Sequence, residues 1–369
     1  MTMANGQESV LLAAMPPGIG DLTFASEAWV DAAREILTNA ATQHADALAD
    51  LGTFTLCEVS HNAPSWLHCG SKLAWWARFD GASVTIEPGE LDARDCDYKA
   101  QSDHSLMSIM ARITHTGTDP KTVAAAQARI VSLARAQIDG GIKTHPGLYT
   151  LLGILHDEMA PRTMARLVFM TPEWVANARY ILTKRAASEK YSADLRGVNY
   201  TFSEQFTNTP KYAFPDGGDG GFWVRCSNGR ITVGAGPLPE AMAPADSLTL
   251  GMYTPVVPVG RSMNASMTDA DKEELDTYVS TALRFDKELG RRPVEQTSPT
   301  GNDMPDALAR VFAPLHDELS MRTAGDLPSD YDDSIKKAWA KPNLFDRDPG
   351  YDKSWVLYDQ VDIYGNPRG

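Results

Sequence analysis

Between residues 26 and 50 apolar side chains recur at helical spacing, with Trp29, Ala33, Ile36 and Leu37 at i, i+4, i+7 and i+8. That stripe predicts an amphipathic helix over 26–50. From Phe54 the period drops to two. Phe54–Ser60, Trp75–Asp80, Val84–Glu87 and Tyr98–Ser102 are rich in aromatic and β-branched residues and are bounded by turn residues, so they predict strands. Asp80-Gly81-Ala82 marks a tight hairpin turn between two of them. Helical spacing then resumes and predicts helices over 105–112, 119–139 and 149–160. The pattern predicts an α+β architecture: a helix, an antiparallel sheet, then helices that cover it.

The same pattern then runs a second time. Within Trp29–Thr38, seven of ten positions recur in Trp174–Thr183, at an offset of 145 residues. Phe54-Thr55-Leu56-Cys57-Glu58 is answered by Tyr200-Thr201-Phe202-Ser203-Glu204, and Trp76-Ala77-Arg78 by Trp223-Val224-Arg225. Asn228-Gly229 stands at the turn equivalent to Asp80-Gly81, and Leu155-His156-Asp157-Glu158 with Arg162 returns as Leu315-His316-Asp317-Glu318 with Arg322. A domain-sized period implies a duplicated domain rather than a solenoid. The expected layout is an N-terminal segment 1–23, a first copy 24–165, a second copy 168–324 and an unrepeated 325–369. That last segment carries Trp339, Phe345, Tyr351, Trp355, Tyr358 and Tyr364. A solvated acidic tail has few aromatics, so it is expected to wrap over the body or over a second subunit, giving a homodimer.

Charge narrows the partners. With 34 Lys+Arg against 48 Asp+Glu, the formal charge of −14 argues against nucleic acid and anionic membrane surfaces. No run reaches the roughly 18 apolar residues of a membrane span. Cys57, Cys69, Cys96 and Cys226 show no CxxC pairing and no mirror between the copies, so they read as reduced thiols of a cytoplasmic protein.

The string Trp76-Ala77-Arg78-Phe79-Asp80-Gly81, then Val84-Thr85-Ile86-Glu87-Pro88-Gly89 and Asp97, resembles the sterol-carrier-protein-2-like domain. Its counterpart is Trp223-Val224-Arg225, Gly229-Arg230-Ile231-Thr232-Val233, Gly236 and Asp246. The resemblance covers about 60–70 residues of each copy. It implies a five-stranded sheet covered by helices around an apolar cavity for lipids or other hydrophobic molecules. The first copy departs from the pattern at Ala82-Ser83, and the Leu-His-Asp-Glu element lies outside it.

Three groups of residues could carry chemistry. Period two places Glu58 on the face of Phe54 and Leu56, and Glu204 on that of Tyr200, Phe202 and Phe206. A carboxyl on an apolar face is a candidate general acid or base, because burial raises its pKa. The alternative is a structural ion pair of each glutamate with Arg78 or Arg225, which stand near Trp76 and Trp223. The second group is the paired His-Asp-Glu-Arg element at His156 and His316. It reads as a helical Glu–Arg ion pair, a His–carboxylate acid/base pair, or half of a metal site completed by the other copy. The third group, His61, Trp66, His68 and Cys69, belongs to the first copy alone. No P-loop, zinc pattern, Rossmann fingerprint or nucleophile elbow occurs, so any chemistry is expected to be cofactor-independent and metal-free.

These readings converge on acid/base chemistry of the lyase, hydratase or isomerase type. The substrate would be a hydrophobic or aromatic small molecule, with Glu58, His61, Glu204, His156 and His316 as catalytic candidates. Trp66, His68, Trp76, Arg78, Trp223 and Arg225 are the substrate-binding candidates. A lipid or hydrophobic-ligand carrier without chemistry is the second expectation, and a structural protein that dimerises through 325–369 the third.

Overall fold

The structure is a computed structural model, and it describes residues 10–61, 63, 67, 69–70, 72–134, 137–207, 219–252, 269 and 295–324. Trp66, His68 and the aromatic segment 325–369 lie outside the described residues. The described residues up to Arg166 form one unit and those from Leu167 onward a second.

The first unit contains α1 (Val10–Ala14), α2 (Glu27–Gln43), β1 (Thr53–His61), β2 (Leu73–Asp80), β3 (Ser83–Pro88), β4 (Tyr98–Asp103), α3 (His104–Met110), α4 (Pro120–Ala134), β5 (Gln137–Gly140) and α5 (Pro146–Met159). The Ser26 hydroxyl caps α2 by accepting the Trp29 amide at 3.3 Å. The helix stops at Gln43 instead of running to 50, because Ala45–Leu48 tightens into a 3₁₀ turn that delivers Leu48 and Leu51 to the core.

Strand order in the sheet is β3-β2-β1-β4-β5. It is antiparallel except for one pair, since β4 enters beside β1 in the same direction. This departs from the wholly antiparallel sheet expected. A second departure lies in 119–139, where α4 ends at Ala134 and β5 takes up the edge beside β4. Gly140 closes that edge at φ +76°, and a Cβ there would stand 2.0 Å from the Asp97 carbonyl oxygen. Only glycine fits so close to the neighbouring backbone.

One face of the sheet carries Phe54, Leu56, Trp75, Ala77, Phe79 and Ile86. It packs on Trp29, Ala33 and Leu37 of α2 and on Leu148, Leu151 and Leu155 of α5. Each large side chain so buried contributes roughly 1.5–3 kcal/mol. The Phe24 ring meets Trp29 edge-on at 5.0 Å, and Trp29 lies 5.3 Å from Trp75. Its indole N–H donates to the Thr163 hydroxyl at 2.9 Å, tying the helix to the chain that follows α5.

The second unit contains β6 (Leu167–Val168), α6 (Pro172–Ala186), α7 (Glu189–Ser192), β7 (Asn199–Thr207), β8 (Gly220–Ser227), β9 (Arg230–Ala235), β10 (Ser247–Met252), β11 (Glu295–Thr297), α8 (Asp306–Arg322) and β12 (Thr323–Ala324). Its sheet runs β9-β8-β7-β10-β11, and β7 and β10 are again the parallel pair. The anchoring contacts recur. Trp174 Nε1 donates to Thr323 Oγ1 at 3.0 Å, and Phe169 meets Trp174 at 5.0 Å. Arg34 Nε donates to the Ile86 carbonyl at 2.8 Å, as Arg179 Nε does to Val233 at 2.9 Å. The hairpin turn at Asn228-Gly229 holds both residues at positive φ, the conformation that a two-residue turn of this kind requires.

Both units are therefore α+β, each a five-stranded sheet with helices packed against it. Among the described residues no helix is long and apolar enough to cross a membrane.

Candidate functional site

Strand register decides which side chains meet. Glu58 on β1 lies opposite Trp75 on β2 and beside Ala100 on β4. Trp75 belongs to the helix-packed core, so the Glu58 side chain projects to that same face. The residue is half-buried, with its carboxyl end enclosed. Trp75 Nε1 donates to Glu58 Oε2 at 3.0 Å. Burial destabilises the carboxylate more than this one bond stabilises it, and the pKa is pushed up to about 7. Burial, then the charge of Glu58, pushes the Tyr98 phenol up to about 12. In the second unit Glu204 lies opposite Phe222 and beside Thr249. No indole faces it there, and burial alone raises it to about 7.

The period that turns Glu58 inward turns Trp76 and Arg78 outward. Trp76 lies between Cys57 and Glu87, and Arg78 between Thr55 and Thr85, on the opposite face of the sheet. Trp223 and Arg225 occupy the corresponding places on β8, between Ser203 and Gly234 and between Thr201 and Thr232. Both arginines are exposed, so the anticipated Glu–Arg pairs do not form. His61, three residues from Glu58, also leaves β1 on the opposite face and is half-buried there. Cys69 lines a groove described below.

The His-Asp-Glu-Arg element divides its labour. The His156 ring, at the end of α5, lies 5.0 Å from that of His115. Burial, then the neighbouring His115, pushes its pKa down to about 4. Asp157 turns to the loop after α3 and accepts from the His115 amide at 2.5 Å, the Thr116 amide at 3.1 Å and the Thr116 hydroxyl at 2.5 Å. Burial works against its charge, but these bonds outweigh it and lower the pKa. Glu158 and Arg162 form the helical ion pair at 3.6 Å, both exposed. In the second unit Glu318 pairs with Arg185 instead, while Arg322 donates to the Glu318 carbonyl at 2.7 Å. His316 lies in α8, and its side chain is outside the described residues. Among the described residues no group of three or more His, Cys, Asp or Glu is placed to hold a metal ion.

Three further residues, absent from the candidates drawn from the sequence, bury polar atoms in the first unit, and two of them, Ser60 and Ser102, share the face of Glu58. Ser60 follows it by two on β1 and pairs in register with Ser102 on β4. Both are buried, and among the described residues neither hydroxyl has a hydrogen-bond partner. An orphaned buried hydroxyl costs about 1–3 kcal/mol. His104 opens α3 directly after Asp103, which caps that helix by accepting the Ser105 amide at 2.9 Å. Its ring is 6.4 Å from that of Phe24, and neither nitrogen makes a hydrogen bond of normal geometry. Burial, then the charge of Arg166, pushes its pKa down to about 3 against a favourable contact with the Phe24 backbone. The signal for these residues was in the alternation itself. Period two carried past Glu58 reaches Ser60, and Tyr98, Ala100 and Ser102 form one face of β4.

A groove of about 910 Å³ opens on this side of the first unit, with Leu22, Ala25, Ser26, Leu67 and Leu73 among its walls. Leu73 is the cross-strand partner of Ser60. Phe24 lies between the groove residues Thr23 and Ala25. Asp21, Glu27, Lys72 and Glu90 add charge to the lining, and Lys72 and Glu90 form an ion pair.

No protein-family model matches the chain, and no curated protein matches it. Among solved structures, the chain is similar to the solution structure of a conserved hypothetical protein from Thermus thermophilus, described as a possible sterol carrier protein. Identity is 14%, and the match covers 40% of this chain and 94% of that one, with a TM-score of 0.27.

Proposed function

We propose that the chain is a duplicated two-domain enzyme that works by cofactor-independent acid/base chemistry on a largely apolar small molecule, with Glu58 as the proton-transferring group. The observation that carries the reading is the Glu58 carboxyl itself, inward on an apolar face, bonded to Trp75 and balanced between its two protonation states near pH 7. A group with that pKa can both take and return a proton at neutral pH, the property that lyases, hydratases and isomerases of this kind require. Glu204 keeps the same position in the second unit, but without a hydrogen-bonding ring opposite it.

The test does not depend on identifying the natural substrate. A panel of apolar ketones is incubated with the full chain in heavy water, and deuterium entry beside the carbonyl is followed by NMR. The wild type is expected to catalyse exchange, and Glu58→Gln to lose it by about a hundredfold or more. Glu204→Gln is expected to keep it. A folded Glu58→Gln protein that exchanged at the wild-type rate would remove Glu58 from the chemistry. Ligands that bind and return unexchanged would instead favour a carrier.

A further inference from the structure

We propose that segment 335–341 of the chain docks in the groove of its own first unit, with Trp339 against the apolar walls and the lysines facing Asp21 and Glu27. Neither the docking nor its test depends on the chemistry of Glu58.

The groove offers space and one sign of charge. It measures about 910 Å³, and Leu22, Ala25 and Leu73 supply apolar wall. Its lysine, Lys72, is held by Glu90, which also pairs with Lys99. Asp21 and Glu27 are exposed on the lining, and among the described residues neither belongs to an ion pair. Apolar surface edged by uncompensated negative charge calls for an apolar group carried between cations.

Segment 335–341 has that composition. It reads Ile-Lys-Lys-Ala-Trp-Ala-Lys, with three positive charges and no negative one. Ile335, Ala338 and Trp339 recur at i, i+3 and i+4, the spacing by which a short amphipathic segment lays one apolar side into a groove. A tryptophan buries about 150–250 Å² and dominates such contacts. The neighbouring aromatics suit the groove less, because Phe345, Tyr351 and Tyr358 are each followed directly by an aspartate.

The chain delivers the segment to the right place, whatever the arrangement of the two units. The Met164 amide donates to the Leu22 carbonyl at 2.8 Å, so the strand leaving the first unit starts at the groove wall. Val168, four residues later, is paired with Ala324, after which 325–369 begins. Covalent reach alone therefore puts Ala324 within about 25 Å of Leu22. Ile335 is eleven residues further on, a span of up to about 36 Å. Tethered so close, the segment meets its own groove at an effective concentration that a second copy does not match in dilute solution.

Carbodiimide cross-linking of the full chain, mixed in equal parts from nitrogen-15-labelled and unlabelled protein, tests the docking. Lys336, Lys337 or Lys341 should link to Asp21 or Glu27 within one chain. Links of mixed isotope would assign the segment to a second copy and overturn the proposal, as would links to other carboxylates only, or none. Cys69, on the groove lining, gives an independent reading through its rate of alkylation by iodoacetamide. Trp339→Ala should raise that rate by about tenfold. Joint Lys336→Glu, Lys337→Glu and Lys341→Glu should raise it by about threefold or more, and serves if the tryptophan variant does not fold. Cys226, in the second unit, should keep its rate in both. An unchanged Cys69 rate in the folded variants, or a rise that Cys226 shares equally, would overturn the docking.

Discussion

The indole N–H of Trp75 donates to the carboxyl of Glu58 at 3.0 Å across the β1–β2 pair, while Glu204 has Phe222 in the same register position. The bond favours the charged form, so its removal must raise the Glu58 pKa. A hydrogen bond to a charged group is worth about 1.5–3 kcal/mol, and each pKa unit is 1.36 kcal/mol. Trp75→Phe is therefore expected to move Glu58 upward from about 7 by about one unit or more and to leave Glu204 in place. Carbon-13 NMR titration of labelled glutamate carboxyls, assigned with Glu58→Gln, reads both values. An unchanged or lowered Glu58 pKa would show that the indole does not act on it.

Stability should pass through a maximum on the acid side of neutrality. Glu58 and Glu204 each rise from 4.5 to about 7 on folding, so their stability is fully present below pH 4.5 and is lost as pH climbs through 7. For each group the rise corresponds to about 3 kcal/mol at most, and to less wherever water reaches the half-buried side chain. His104 and His156 fall from 6.5 to about 3 and about 4, so their stability is present above 6.5 and is lost as pH drops through those values. Urea denaturation at pH 4.5, 6 and 8 is expected to give the highest midpoint at pH 6. Glu58→Gln should stabilise the chain by about 2–3 kcal/mol at pH 8 and leave it nearly unchanged at pH 4.5. Because the two pairs act in opposite directions the profile is shallow, so the Glu58 variant decides it: a gain for Glu58→Gln that did not grow between pH 4.5 and pH 8 would contradict the Glu58 assignment.

Two aspartates hold equivalent corners with unequal support. Asp97 accepts the Thr55 amide at 2.7 Å, and Asp246 accepts the Thr201 amide at 2.7 Å. Asp246 also accepts from Thr300 Oγ1 at 2.7 Å and Asn302 Nδ2 at 2.9 Å, and despite the opposing effect of burial its pKa is lowered. Asp97→Ala should cost about 1–2 kcal/mol, and Asp246→Ala should cost more, about 2–3 kcal/mol, because it strips three donors. Denaturant midpoints measured at pH 7 decide it. Equal losses would mean that the two extra bonds contribute nothing.

Alternation along β1 made much of this legible. Phe54, Leu56 and Glu58 share a face because side chains in a strand alternate, whatever the rest of the chain does. The doublet Trp75-Trp76 was harder, since one indole must point each way. The Trp-x-Arg string drew attention to Trp76, whereas Trp75 is the one that reaches Glu58. The β1–β4 parallel pairing brings Ser102 beside Ser60 across 42 residues of chain, which no local pattern encodes. His115 meeting His156 is the same kind of fact, a contact made by the packing of α5 against a loop rather than by sequence spacing.

Trp223, a binding candidate on sequence grounds, has a structural task that one methyl group tests. It lies opposite Gly234 on β9, and a Cβ at that glycine would stand 2.2 Å from Trp223 Cζ2 and 2.3 Å from Cε2. The glycine backbone is ordinary strand, so space alone selects against a side chain there. Gly234→Ala must push the ring aside, and overpacking of this kind costs about 1–3 kcal/mol. A lowered denaturant midpoint together with a shift in tryptophan emission is the expected result. Ketone binding at Glu58, in the first unit, should be untouched. Loss of ketone binding would move the ligand site to Trp223, while an unchanged midpoint and emission would show that the ring does not rest on the glycine.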